Sequence, residues 1–336
     1  MTTNKIRAKK KPIEEETRSV ARNPYLFVVG CPRSGTTLLQ RMLDHHPQLA
    51  VANDTHFIPV GIQRRFNGAD PLLTPDLVDR VVRYRRFPRL GISLEEAKRS
   101  AKTSETYSTF VTALYDTYAQ KQEKQYGGEK TPDYVKYLPM LHGLFPWVKT
   151  AHIIRDGRDV ALSALEWAKE KKGPGRYVLW QEDPVAVCAL WWHHHVSQGM
   201  QDGNALGPAH YFELRYESLS TEPQAVLSEL SRFLDIPFSK KMVHYYEGKT
   251  RMEAYKKGEI SVKKAWLPAT PKLRDWRKRM EERDLALFEA LAGNLLSKLG
   301  YERAFPSIPP RMTTLAEKYR RWWDAEMVRK QSKRQG

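Results

Sequence analysis

Phe27-Val28-Val29-Gly30-Cys31-Pro32-Arg33-Ser34-Gly35-Thr36-Thr37-Leu38-Leu39-Gln40-Arg41-Met42-Leu43 is the stretch whose reading decides the fold class. An apolar run over residues 25–29 delivers the chain to a turn bounded by two glycines, after which leucine and methionine recur at helical intervals. Gly30 and Gly35 keep the spacing of a G-x-x-x-x-G-K-[ST] loop, in which backbone N–H groups and a helix N-terminus hold phosphate oxygens. The lysine of that signature is missing. Thr36 stands in its place, and the cation has moved three residues earlier, to Arg33. A guanidinium inside the loop offers a planar fork that grips phosphate or sulfate directly. The segment therefore predicts a strand, an anion cradle and a helix, with Arg33, Ser34, Gly35, Thr36 and Thr37 as candidate contacts. A strand-to-helix turn without a ligand is the plainer alternative.

A second constellation follows another expected strand. Residues 148–154 are apolar and β-branched, and they end at Arg155-Asp156-Gly157-Arg158-Asp159, after which residues 160–168 take a helical pattern. In a nucleoside triphosphatase with a phosphate loop, a strand of this kind ends in a magnesium-binding acid. Here it ends in an arginine. Asp156 and Asp159 each lie beside an arginine, so ion pairing or N-capping accounts for them without a metal. Arg155 and Ser163, eight residues apart, can converge on one anion from the strand end and the second helical turn. Together with the altered loop, the pair implies a ligand with phosphates at two separated places.

These two stretches resemble the sulfotransferases that use 3′-phosphoadenosine 5′-phosphosulfate (PAPS). Residues 31–37 are similar to that family's loop for the 5′-phosphosulfate, and residues 155–163 to its 3′-phosphate motif. The resemblance runs from about residue 25 to 301, and the first motif is closest to the tyrosylprotein sulfotransferases, down to Leu43-Asp44-His45-His46-Pro47. It implies an α/β fold with a parallel central sheet flanked by helices, a P-loop NTPase-like sulfotransferase fold, and PAPS as co-substrate with no metal required. Where the family has a catalytic glutamate, the matching position is Asp54 in Asn53-Asp54-Thr55, one methylene shorter. His56 is a rival base, because an unperturbed imidazole suits proton abstraction near neutrality. Capping of the next helix is the structural alternative for Asp54.

The resemblance also places Lys130, in Gly128-Glu129-Lys130-Thr131-Pro132, near the sulfuryl group, and Tyr216 at the adenine site, stacking on the base or bonding to it. A basic stretch closes the family's nucleotide site, and Lys256-Lys257-Gly258, Lys263-Lys264 and Lys272 compete for that role. In such a site Arg33, Lys130, Thr36, Thr37 and the helix N-terminus stabilise charge growing on the leaving oxygen, and Asp54 or His56 takes the acceptor's proton.

Composition bounds the rest. The chain has 336 residues, 41% apolar and 28% charged, with no apolar stretch approaching the ~18 residues that span a bilayer, as expected of a soluble protein. Two cysteines, Cys31 and Cys188, argue against a disulfide framework and for a reducing compartment, with the cytoplasm as the default. Residues 1–22 read as a disordered basic arm, 23–303 as the catalytic domain and 304–336 as a basic helical tail. Part of the net charge of +17 lies in those tails, and part in Arg80, Arg83, Arg85, Arg86 and Arg89, which crowd an expected helix that faces either solvent or an anionic acceptor.

The tail aromatics Tyr319, Trp322 and Trp323 allow a membrane-surface contact, docking on the enzyme body or a homodimer contact. His193-His194-His195 resembles a metal tag, but consecutive helical residues point to different faces. The expected layout is strand and loop at 25–46, strands near 48–51, 149–154 and 210–215, a helical insertion over the acceptor site at 72–122, and helices near 134–145, 157–168, 184–201, 221–234 and 283–299. A magnesium-dependent kinase of the same fold and a basic nucleic-acid-binding protein are the competing readings; Thr36 weighs against the first, and no recognition motif supports the second, so no nucleic-acid partner is expected. The hydroxyl acceptor is left open among small molecule, glycan, lipid and peptide tyrosine.

Overall fold

The computed structural model describes residues 22–62, 66–168, 173–247 and 274–335. The lysines at 256, 257, 263, 264 and 272, with Gly258, lie outside the described residues, as do residues 1–21 of the expected N-terminal arm.

Five parallel strands form the sheet: β1 (Leu26–Val29), β2 (Leu49–Asn53), β3 (Tyr126–Lys130), β4 (Lys149–Ile154) and β5 (Tyr211–Arg215), in the order β2-β3-β1-β4-β5. Central β1 pairs with β3 at Val28↔Lys130 and with β4 at Val28↔Ala151. Its side chains alternate between two cores. Phe27 and Val29 pack with Tyr107, Phe110 and Leu114 on one face; Leu26 and Val28 pack with Leu39, Met42 and Leu227 on the other. Both faces are therefore dry, which is why the strand reads as an unbroken apolar run. Truncating Phe27 to alanine would cost about 3–5 kcal/mol, as for other fully buried aromatics.

The chain moves outward from β1 toward β2 on one side and β4 on the other. The crevice beyond the C-terminal end of β1 is thus the topological switch point, where ligands bind in doubly wound sheets. The helices are α1 (Thr36–Asp44), α2 (Phe57–Ile62), α3 (Pro75–Val82), α4 (Leu94–Lys102), α5 (Tyr107–Lys121), α6 (Leu138–Leu144), α7 (Gly157–Ala168), α8 (Pro184–Leu206), α9 (Tyr216–Thr221), α10 (Pro223–Phe233), α11 (Trp276–Arg279), α12 (Glu282–Lys298) and α13 (Pro310–Gln335).

The α/β architecture with a parallel central sheet agrees with the sequence expectation, and local details depart from it. The layout had no strand where β3 runs, because Gly127-Gly128 dilutes its pattern. Added Cβ atoms there would lie 2.7 Å from the carbonyl oxygens of Tyr115 and Leu26 respectively, so the close approach of α5 and β1 requires both glycines.

The insertion is α3, α4 and α5 with a 3-10 turn, Phe87–Leu90, between the first two. A Thr74 cap starts α3, and a Ser93/Glu96 capping box starts α4. The five arginines therefore do not share one helix: Arg80 lies on α3, and Arg89 lies in the 3-10 turn. Tyr216 opens α9, one residue past the end of β5. The tail helix α13 buries Tyr319 and Trp323 against the apolar cluster of α8 and α12, while Trp322 stays 43% exposed. Among the described residues no helix is long and apolar enough to cross a membrane.

Candidate active site

The loop after β1 is shaped by backbone positions that few side chains tolerate. Gly30 has φ +156°, and a Cβ on it would sit 2.5 Å from the Ile153 carbonyl oxygen of β4. Gly35, at φ +94°, caps α1 without a side-chain hydrogen bond, leaving first-turn N–H groups available to an anion. A Cβ on Gly35 would lie 2.3 Å from the Tyr216 ring, so the ring is seated on the loop backbone. The Ser34 hydroxyl is buried and has no hydrogen-bond partner among the described residues. A buried hydroxyl without a partner, beside uncapped helix N–H groups, fits a phosphate-sized anion.

Arg33 stands in the left-handed region at φ +80°, and its Nε donates to Ser163 Oγ at 2.9 Å. Its guanidinium lies 5.7 Å from the Trp167 ring centroid. The loop and α7 are thereby joined across 130 residues of sequence. Arg155, at the end of β4, donates to Asp159 Oδ2 at 2.9 Å and lies 4.3 Å from the Tyr216 ring centroid, while its Nε is buried without a partner among the described residues. Ser163 is bonded to Arg33, and Tyr216 bridges from the Gly35 loop to Arg155. The acids Asp156 and Asp159 are engaged in ion pairs. Asp156 takes Arg158 Nε at 3.0 Å and Nη2 at 2.8 Å, and the Arg158 backbone N–H at 2.9 Å; Glu289 takes Arg158 Nη1 at 2.7 Å.

On the other side of the crevice Lys130, 1% exposed at the end of β3, lies 3.1 Å from Asp54 Oδ1 and donates to Thr37 Oγ1 at 3.4 Å. Asp54 follows β2 at φ +57°, its N–H donates to the Lys130 carbonyl at 2.7 Å, and Arg89 Nη1 is 3.8 Å from its Oδ2. The carboxylate faces Lys130 and Arg89 and does not serve as a helix cap. Burial pushes the Asp54 carboxyl up, but Lys130, His56 and Arg86 outweigh it and hold the group below the usual aspartate value. Burial pushes the Lys130 ammonium down, and its pairing with Asp54 offsets only part of that. His56, also left-handed at φ +60°, has Nε2 3.8 Å from Asp54 Oδ1; burial and then Arg86 push its imidazole down to about 4.

Sequence reasoning passed over Glu129, which holds this arrangement together. Fully buried, it accepts from Thr55 N at 2.9 Å, Thr55 Oγ1 at 2.7 and 2.6 Å, His56 N at 3.3 Å, and the hydroxyls of Tyr115 and Thr131. Burial raises its carboxyl above the usual glutamate value, against these hydrogen bonds, which lower it.

Asp133 receives Lys136 Nζ at 2.5 Å and faces His195 Nε2 at 3.3 Å; burial raises its carboxyl, but the Lys136 charge and the His195 hydrogen bond bring it well below the usual value. His195 also bonds the Trp191 carbonyl at 2.7 Å, and among the described residues no three His, Cys, Asp or Glu side chains are grouped to hold a metal.

Fold and site together define an α/β protein with an uncapped helix N-terminus and two arginines around the switch point, and with a carboxylate and a lysine opposed across the crevice. A profile of the sulfotransferase family matches residues 24–240, and the chain belongs to that family. It is similar to protein-tyrosine sulfotransferase A of Caenorhabditis elegans, 24% identical over 225 residues covering 66% of this chain and 53% of that one. It is also similar to protein-tyrosine sulfotransferase 1 of Danio rerio, 25% identical over 291 residues covering 83% and 72%. The chain spans about half the length of the Caenorhabditis relative. Among solved structures, the sulfotransferase domain of the Synechococcus PCC 7002 olefin synthase aligns with TM-score 0.59 at 22% identity, covering 88% of this chain and 99% of that one.

Proposed function

We propose that the protein transfers the sulfuryl group of PAPS to a hydroxyl acceptor, giving a sulfate ester and adenosine 3′,5′-bisphosphate. The observation that carries this reading is the Arg33–Ser163 hydrogen bond of 2.9 Å, which joins the loop motif to the β4–α7 motif in one anion-binding crevice. Ser34, Thr36, Thr37 and the α1 N-terminus would hold the 5′ end, Arg155 the 3′-phosphate, and Tyr216 the adenine. The buried, unpartnered Ser34 Oγ and Arg155 Nε support that fit.

When bound, the donor supplies an activated sulfur whose bond to the phosphate oxygen can break. The acceptor oxygen forms the new bond to sulfur as its proton passes to Asp54 or His56, and the electron pair of the breaking bond stays with the phosphate. Arg33, Lys130 and the N–H groups of the loop stabilise that developing charge, work of the kind worth about 2.7–4 kcal/mol per donor in oxyanion holes. With Arg86 and Arg89 around Asp54, the acceptor hydroxyl favoured is one flanked by negative charge. Peptide tyrosine is the first class to try, given the names of the relatives. A cytoplasmic setting is part of the proposal, supported by two buried free thiols, Cys31 and Cys188.

Calorimetric titration with adenosine 3′,5′-bisphosphate tests the donor assignment. Micromolar binding that Arg33→Ala weakens at least tenfold is expected. Preference for magnesium·ATP over the bisphosphate would reject it in favour of a kinase.

A further inference from the structure

The ion pair between Lys130 and Asp54 is the one place where the candidate base and a candidate donor contact neutralise each other. Lys130 Nζ sits 3.1 Å from Asp54 Oδ1 and 3.4 Å from Thr37 Oγ1 on the phosphate loop, and the side chain is 1% exposed. The ammonium therefore stands between two claimants, the carboxylate and whatever anion the loop holds. The groups facing Asp54 are Lys130 from β3, His56 from its own turn, and Arg86 and Arg89 from the insertion; those facing Lys130 are Asp54, Arg89 and the neighbouring Glu129. Of the cations around Asp54, Lys130 is the nearest, and it is also the one bonded to the loop.

We propose that Asp54 is the resident counter-ion of Lys130, displaced by the donor, so that the carboxylate is freed to take a proton only once the loop is filled. This rests on the donor assignment above and adds a coupling to it. Without donor, Asp54 is compensated and a weak proton acceptor. With an anion at Thr37, Lys130 is shared, the carboxylate gains a like charge across the crevice, and its proton affinity rises. Hydroxyl activation is thereby tied to donor occupancy.

Linkage makes the idea measurable, since whatever raises the proton affinity of Asp54 must bind more tightly when Asp54 is protonated. A rise of one pKa unit corresponds to about a tenfold gain in affinity. The test is calorimetric titration with adenosine 3′,5′-bisphosphate from pH 4 to 8, in buffers of differing ionisation enthalpy, on wild type, Asp54→Asn, Lys130→Ala and the double variant. The nucleotide's own titration is common to all four proteins and cancels. Asp54→Asn should bind several-fold to about tenfold more tightly than wild type at pH 7.5, should take up fewer protons than wild type at the acid end of the range, where a carboxyl held below the usual aspartate value begins to titrate, and should lose its advantage in the Lys130→Ala background.

Equal or weaker binding by Asp54→Asn, or the same gain without Lys130, overturns the inference and leaves the donor assignment standing. Absence of binding by all four proteins rejects the donor assignment, and the inference with it. Should Asp54→Asn fold poorly, proton uptake by wild type against Lys130→Ala at about pH 4–5 decides: equal uptake there overturns the coupling, and greater uptake by wild type supports it.

Discussion

Glu129→Gln isolates the one buried carboxylate that organises the acceptor side of the crevice. In wild type, Oε1 accepts from Thr55 N, Thr55 Oγ1, His56 N and the Thr131 hydroxyl, while Oε2 accepts from Tyr115 and Thr55. The amide keeps one acceptor oxygen and sets an N–H₂ group against Tyr115, whose hydroxyl can then accept but has lost its own acceptor. Hydrogen bonds to a charged group contribute about 1.5–3 kcal/mol each, so losing one and weakening the others destabilises the protein by about 2 kcal/mol. At ~2–4 °C per kcal/mol for domains of about 150–250 residues, and less for a longer chain, the melting temperature should fall by roughly 3–6 °C.

The Asn53–His56 turn, with two residues at positive φ, loses its anchor, and a misplacement approaching 1 Å can cost about a hundredfold in turnover. Nucleotide affinity should change far less than turnover, because Arg33, Ser34 and Arg155, which Glu129 does not touch, carry most of the proposed phosphate contacts. Thermal melts, bisphosphate titration and sulfuryl-transfer kinetics on one preparation separate these effects. Full turnover alongside a lowered melting temperature would refute the link between Glu129 and the base, and a parallel loss of nucleotide affinity would place its action on the donor side.

Arg155→Ala should weaken bisphosphate binding by about 1.5–3 kcal/mol, roughly ten- to a hundredfold, and should lower the melting temperature as well, because it leaves the partly buried Asp159 without its cation; an unchanged Kd in the folded variant would remove Arg155 from the nucleotide site. Gly35→Ala demands a left-handed alanine and pushes its Cβ into the Tyr216 ring 2.3 Å away, so it should abolish measurable nucleotide binding; near-normal affinity would mean that Tyr216 and the loop are not packed as described. Asp133 carries its own pH signature. Its folded-state carboxyl is depressed, so the stability it contributes is present above the ordinary aspartate value of 3.8 and lost as pH falls through the depressed value. Asp133→Asn should be less stable than wild type at pH 7, with the gap narrowing below about pH 4 in urea unfolding; a gap independent of pH would contradict that assignment.

The sequence made legible whatever is local. The β1–loop–α1 and β4–Arg155–α7 segments each hold their full pattern within about twenty residues, so strand, turn and helix could be read together. The contacts that turn those segments into a site are not local. Arg33 to Ser163 spans 130 positions, and Thr55 to Glu129 spans 74. Nothing in the periodicity of either segment encodes the strand order that brings them together.

The run before Lys130 is strand-like, but the glycines that let α5 and β1 approach dilute the apolar alternation, and the expected layout therefore lacks β3. Glu129 was hidden because a buried glutamate looks in sequence like a solvent-facing one until its hydrogen-bond donors are seen. The arginines of the insertion read as one helix because they crowd positions 80–89, whereas α3 ends at Val82 and Arg89 lies in a 3-10 turn whose Phe87 and Leu90 are buried in the core.

Incubation of the purified protein with sulfur-labelled PAPS in the presence of EDTA, against peptides carrying tyrosine among acidic residues and a panel of phenols, alcohols and glycans, tests the central claim most directly. The account predicts label in a sulfate ester on a hydroxyl acceptor, without magnesium, and none with Arg33→Ala. Failure to label any hydroxyl class, with phosphorylation of acceptors from magnesium·ATP instead, would contradict it.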